Sequence, residues 1–186
     1  MTSEPRPPQA ASPPAPRRQL EMLWPAELLA SPPCVEVADG YRLRTFQPGD
    51  EPAYCALLAS AGFADWNGAK VAEWLHRVLP EGLFFAVHLK SGALAATAMA
   101  AHRSSPEHPF GGELGWVACD PAHRGAGLGL AVCAAVVARF LSAGYSRIYL
   151  KTDDHRLPAI KSYLRLGFVP YLFQDDMASR WSAVCA

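Results

Sequence analysis

The segment Asp120–Gly129, DPAHRGAGLG, joins an apolar run, Leu114–Cys119, to a helical stretch that reaches about Ala143. A strand, a glycine-rich turn and a helix in direct succession confine the chain to an α/β architecture with an anion cradle at the joint. Gly125, Gly127 and Gly129 remove Cβ atoms where the backbone must turn sharply. They also leave the N–H groups of residues 125 to 129 free to converge on one ligand. The positive end of the helix dipole favours negative charge at the same spot, so a phosphate or pyrophosphate is expected there.

Elsewhere the pattern alternates between strands and helices. Tyr41–Phe46 reads as a half-buried strand, and Pro48-Gly49-Asp50 offers a turn and an N-cap for a helix over about Glu51–Ala61. Val71, Trp74, Leu75 and Val78 have i, i+3, i+4, i+7 spacing and predict a second helix, ended by Pro80 and Gly82. Leu83–His88 and Ala93–Ala101 flank Lys90-Ser-Gly92 as a hairpin, and the next strand covers about Glu113–Cys119. After the long apolar helix come a strand at Ser146–Lys151, a short helix at Pro158–Leu166 and a last strand at Phe168–Phe173. Met177, Trp181 and Val184 predict a small terminal helix.

The chain divides near residue 35. Nine of its seventeen prolines fall in residues 1–33, where PRPPQAASPPAPRR has no apolar periodicity. Residues 1–35 are therefore expected to be a disordered, polyproline-like tail, with Leu20–Trp24 docking as a short helix, and residues 36–186 to be one domain. Within 186 residues, a 51% hydrophobic composition supplies ample core. Seventeen basic and seventeen acidic residues cancel, which leaves no electrostatic footprint for a nucleic acid or an anionic membrane surface and favours a small-molecule partner. No apolar run reaches the roughly 20 residues of a bilayer span. Five cysteines without CxxC spacing read as buried free thiols, which together with the lack of a visible signal segment points to the cytoplasm.

The order β-α-α-β-β-β-loop-α-β-α-β, with Arg124-x-x-Gly127-x-Gly129, resembles the GCN5-related N-acetyltransferase (GNAT) superfamily over residues 41 to 173. Pro158-Ala159 through Tyr163 to Gly167-Phe168 is similar to the family's A-x-x-x-Y-x-x-x-G-F signature. The resemblance implies an α/β fold with a mixed, mostly antiparallel sheet flanked by helices. It also implies an acetyl-CoA-dependent N-acetyltransferase that acts by direct attack of a primary amine, on a small molecule or a peptide N-terminus, in a ternary complex.

The same resemblance implies roles for residues. Arg124, Gly125, Ala126, Gly127, Leu128 and Gly129 would hold the pyrophosphate of coenzyme A, and main-chain groups of Trp116, Val117 and Ala118 would pair with the pantetheine arm. Glu113 matches the family's frequent general base and Tyr163 its usual proton donor to the leaving thiolate. Arg156 stands where many members carry a cofactor-contacting Asn, and it is expected to meet a coenzyme A phosphate. Phe63, Asp65, Trp66 and Asn67 fall in the helix connection that shapes the acceptor pocket, while Asp153 and Asp154 end a strand at the cleft edge. A homodimer is compatible with the family.

Each of these residues also has a purely structural reading. Tyr163 can be a core residue, Glu113 a solvated strand end, and His123 and His155 loop side chains, since no third ligand stands at metal spacing. A dinucleotide site is disfavoured because position 130 is Leu and G-x-G-x-x-G is absent, and a Walker A loop lacks its Gly-Lys-Ser/Thr. A non-catalytic acyl-CoA-binding regulatory module is the remaining alternative. The family commonly closes with another strand, whereas residues 175 to 186 read as helical, so the wall of the acceptor pocket is the least defined part.

Overall fold

A computed structural model describes residues 18–185. Seven strands form one sheet: β1 (Leu20–Leu23), β2 (Tyr41–Thr45), β3 (Val78–His88), β4 (Leu94–His102), β5 (Gly112–Cys119), β6 (Ile148–Thr152) and β7 (Val169–Tyr171). Their order is β2-β3-β4-β5-β6-β1-β7. Every neighbouring pair is antiparallel except β5 and β6. The five α-helices are α1 (Glu51–Ser60), α2 (Gly68–Leu75), α3 (Leu128–Ser142), α4 (Leu157–Leu166) and α5 (Met177–Cys185).

The sheet separates two cores. On one face α3, α4 and α5 bury Val132, Val136, Phe140, Ile160, Met177 and Trp181 against Ala96, Ala98 and Ala100 of β4. Alanines on both sides of that contact let α3 approach the sheet closely, and β4 is buried along almost its whole length. On the other face α1 and α2 pack Tyr54, Leu57, Leu58, Trp66 and Val71 onto Phe85, Met99 and Ala118.

Three sequence expectations change. Leu20–Leu23 is a strand, not a short helix, so the folded unit begins ahead of the boundary expected at residue 35; residues 1–17, with most of the Pro-rich stretch, lie outside the described residues. Leu20, Met22 and Trp24 alternate into the core while Glu21 faces the other way, and β1 fills the slot between β6 and β7. Residues Met177–Cys185 form the expected terminal helix, and the slot next to β7 is filled by the N-terminal strand instead of a further C-terminal one. Second, α2 stops at Leu75, and Val78 opens β3 by pairing with Ala101. Pro80 and Gly82 sit within an irregularity of that strand, where Glu81 has φ +57°. Third, only Cys133 of the five free thiols is fully buried; Cys34 and Cys185 are exposed. Among the described residues, no helix is long and apolar enough to cross a membrane.

Candidate active site

The glycine segment builds a cradle. Asp120 Oδ1 accepts from the Ala122 N–H at 2.8 Å and closes a single 3-10 turn at Pro121–His123. The backbone then enters the left-handed region at Gly125 (φ +86°) and Gly127 (φ +72°), which favours glycine. Gly127 is the N-cap of α3 and supplies no side-chain cap, so the first N–H groups of a 15-residue helix point outward. A Cβ at position 125, 127 or 129 would meet no protein atom within 4 Å. The space above the loop is therefore shaped by backbone alone, which fits a diphosphate.

Strand β5 leads from this cradle to a cleft. It pairs with β6 only through Gly112↔Ile148, Glu113↔Tyr149 and Leu114↔Leu150, after which the two strands separate. On its other side, Thr97↔Ala118 and Met99↔Gly115 leave Trp116 and Val117 opposite Ala98 alone, a β-bulge, with Trp116 at φ +51°. The bulge bends β5 away from β6 and leaves backbone groups of residues 115–117 along the gap without a strand partner on that side.

The cleft has a volume of about 120 Å³ and is bordered by Glu113, Gly115–Val117, Tyr163 and Arg156. Tyr163 lies on α4, only 5% exposed, and burial, with the Cys133 thiol adding to it, pushes its hydroxyl above the usual tyrosine range. Burial of this kind disfavours the charged phenolate relative to the neutral phenol. Glu113 accepts from Arg103 Nη1 at 2.9 Å and from the Tyr149 hydroxyl at 3.2 Å. Thr152 also borders the cleft, and its buried Oγ1 has no partner among the described residues.

The other sequence candidates divide. Phe63 and Asp153 line the cleft; Phe63 packs edge-on against Trp116, and the Arg156 guanidinium lies 4.6 Å over its ring. Arg156 also meets Asp153 at 3.2 Å, beside the mouth of the cleft. Trp66 stands behind the wall, 4.6 Å from the Trp116 ring. Asn67 caps α2 by accepting from the Lys70 N–H, and the exposed Asp65 bonds the Lys70 ammonium, so neither borders the cleft. Asp154 turns to Arg180 of α5. His123 Nδ1 shares a hydrogen bond with the Tyr41 hydroxyl at 2.9 Å.

Seven cleft residues escaped the sequence reading: Gln19, Trp74, Arg103, Leu114, Gly115, Lys151 and Thr152. Trp74 and Lys151 were visible as core-face and strand residues, yet their side of the sheet is set by the bulge and the parallel register. Gln19 and Arg103 sit in segments without periodicity, where no sequence signal points inward.

A bulged strand, a glycine cradle at a helix N-terminus and a strand splayed from its parallel neighbour, in this chain order, match the acetyltransferase fold that the sequence resembles. The chain belongs to the acetyltransferase (GNAT) family, whose model matches residues 51–168. It is 37% identical over 146 residues to the mycothiol acetyltransferase of Thermobispora bispora, covering 73% of this chain and 49% of that protein. It is 29% identical over 161 residues to the mycothiol acetyltransferase of Paenarthrobacter aurescens, covering 79% and 49%. The chain thus spans about half the length of the curated relatives it matches. In fold it is similar to a GCN5-related N-acetyltransferase from Sphaerobacter thermophilus, at TM-score 0.64 and 24% identity over 83% of this chain and 50% of that one. It is also similar to the ribosomal-protein-S18-alanine N-acetyltransferase of Escherichia coli, at TM-score 0.58 and 22% identity over 71% and 79%.

Proposed function

We propose that this chain transfers an acetyl group from acetyl-CoA to the primary amine of a small molecule, by direct attack within a ternary complex. The observation that carries this reading is the course of β5, which runs from the cleft bordered by Glu113 and Tyr163, along the gap between β5 and β6, toward the backbone cradle at 125–129. Arg124 and the N–H groups of residues 125–129 hold the diphosphate, and Trp116, Val117 and Ala118 offer main-chain groups to the pantetheine arm. Bound there, acetyl-CoA supplies an activated acyl carbon. The orphaned Thr152 hydroxyl gives the cleft one more polar group for a ligand.

Glu113, the proposed base, takes a proton from the acceptor ammonium, directly or through water, so that the neutral nitrogen forms the C–N bond as the C–S bond breaks. Tyr163 donates its proton to the departing sulfur. Arg103 and Tyr149 fix the carboxylate of Glu113 by the two hydrogen bonds already described and keep it aimed into the cleft. Phe63 and Asp153 form the acceptor side, and Arg156, paired with Asp153 beside the mouth of the cleft, is kept for a coenzyme A phosphate. A small-molecule acceptor is favoured over a peptide N-terminus by the modest cleft, and by relatives that are mycothiol acetyltransferases.

Isothermal titration with acetyl-CoA, followed by thiol release with amines, amino acids, aminoglycosides and N-terminal peptides, tests the proposal. Saturable binding with amine-dependent thiol release is expected. Binding without release for any amine would favour the non-catalytic acyl-CoA-binding module instead.

A further inference from the structure

The strand that fills the slot between β6 and β7 brings side chains to the cleft from outside the family-matched segment. Its register is Leu20↔Thr152, Glu21↔Lys151 and Met22↔Leu150, so Glu21 and Lys151 share one face of the sheet. Gln19, two residues before Glu21, lies on the same face, borders the cleft and donates from Nε2 to Asp153 Oδ1 at 3.0 Å. Glu21 is 2% exposed and approaches three groups: Lys151 Nζ at 3.4 Å, His108 Nε2 at 2.6 Å and, further off, Arg18 at 3.7 Å. Arg147 can only donate, so His108 accepts its Nε–H on Nδ1 at 3.1 Å and gives its own Nε2–H to Glu21. Glu21 is thereby fixed from one side by the loop between β4 and β5. From the other side it holds the Lys151 ammonium, which borders the cleft.

We propose that β1 is part of the acceptor site, with Gln19 contacting the acceptor and Glu21 acting as a positioning residue that holds the Lys151 ammonium for an oxygen of the acceptor. The inference rests on the amine-acetylation reading above. Nε2 of Gln19 gives one of its two hydrogens to Asp153, and its carbonyl oxygen offers a ligand the acceptor that Lys151 cannot. Lys151 only donates. A hydroxyl uses the Gln19 oxygen and the Lys151 ammonium at once, since it gives one hydrogen and takes another, whereas a carboxylate only accepts and leaves the Gln19 oxygen unused. The chemical class is therefore an amine that carries hydroxyl groups near its nitrogen.

The matched pair 2-amino-1,3-propanediol and isopropylamine isolates those hydroxyls. In steady-state assays of the full chain the diol is expected to have at least a tenfold higher kcat/KM. Gln19→Leu and Glu21→Gln should each remove most of that preference through KM of the diol, with acetyl-CoA affinity within twofold of the parent, and Glu21→Asp should restore part of it. An unchanged preference in both variants overturns the proposal, as does a loss of acetyl-CoA affinity that parallels the rise in KM. If the parent binds acetyl-CoA and acetylates neither amine, the function proposed above fails separately, and a second readout decides this inference. The four lysines, Lys70, Lys90, Lys151 and Lys161, can be carbon-13 methylated, and Lys151→Arg assigns its resonance. With coenzyme A saturating, the diol should move the Lys151 resonance more than isopropylamine does, and Glu21→Gln should abolish the difference. A Lys151 resonance indifferent to both amines overturns the proposal.

Discussion

Glu21 and His108, 87 residues apart in sequence, are joined by a 2.6 Å hydrogen bond, and neither side chain is more than 2% exposed. The His108 ring also stacks on Tyr149 with centroids 3.8 Å apart, so one imidazole ties β1 to the loop that precedes β5. Removing it strands a buried carboxylate. His108→Ala is expected to destabilise the fold by about 2 kcal/mol, the size of a lost hydrogen bond to a charged group, with Lys151 remaining beside Glu21. His108→Gln, which keeps an N–H donor, should cost less than half as much. Urea denaturation of both variants checks the order, and equal losses would show that the ring's volume matters more than its hydrogen bond.

Tyr163→Phe removes one oxygen from a buried ring and leaves its contact with Phe168 in place. Turnover is expected to fall tenfold or more, while acetyl-CoA affinity stays within twofold, as for the loss of a proton donor used only in the transition state. Calorimetry and single-turnover thiol release on the same preparation separate the two quantities. A fall in affinity as large as the fall in turnover would make Tyr163 a packing residue.

Much of this site is legible in the sequence because its parts are local. The glycines at 125, 127 and 129 precede a helix, and Tyr163 stands four residues before the glycine that ends α4 with φ +119°. Short-range chemistry of this kind survives translation into a string of letters. The slot filled by β1 does not, since Glu21 meets Lys151 from 130 residues away in sequence and the Pro-rich stretch before Leu20 masks a four-residue alternation. Asn67 misleads for the opposite reason: a polar residue at the start of a helix serves the local N–H groups first.

Asp50 predicts how the fold responds to acid. The Arg44 guanidinium bonds both oxygens of its carboxylate, Nη2 to Oδ1 at 2.8 Å, and the Gln47 N–H adds a third hydrogen bond. Pairing with Arg44 holds Asp50 below the usual carboxylate range, against a smaller opposing effect of burial, and the arginine shifts upward correspondingly. A carboxylate lowered in the folded state contributes stability above its unfolded value, near 3.9, and loses it as pH falls through that value and below. Asp50→Asn should therefore lower the melting temperature at pH 7 and converge with the parent as pH falls below the lowered folded-state value of Asp50. A constant difference across that range would assign the effect to packing instead.

Gly127→Val tests the cradle. Valine at φ +72° is strained, and its branched side chain would project into the open space above the loop. Acetyl-CoA affinity is expected to drop at least a hundredfold, because the ligand's diphosphate and the new methyl groups compete for one volume. Gly144→Val, at φ +79° beyond the far end of α3 from the cradle, controls for backbone strain and should leave affinity unchanged. Equal affinities for the two variants would sink the loop assignment.

Trp116 joins strain to packing, and two substitutions can separate them. Its ring contacts Trp66, Trp74 and Phe63 at centroid distances of 4.6, 5.3 and 5.4 Å, while its backbone holds the left-handed conformation that forms the bulge. Truncation to alanine loses those contacts and should cost about 3 kcal/mol, as large-to-small changes at aromatic sites do. Truncation to glycine loses the same contacts but relieves a conformation that costs a non-glycine residue of order 1 kcal/mol. Trp116→Gly is thus expected to be the more stable of the two, although glycine ordinarily weakens a strand relative to alanine. Denaturation midpoints decide the order. If alanine proves the more stable, the bulge relaxes once the indole is gone, and the aromatic wall rather than the backbone bends β5 away from β6.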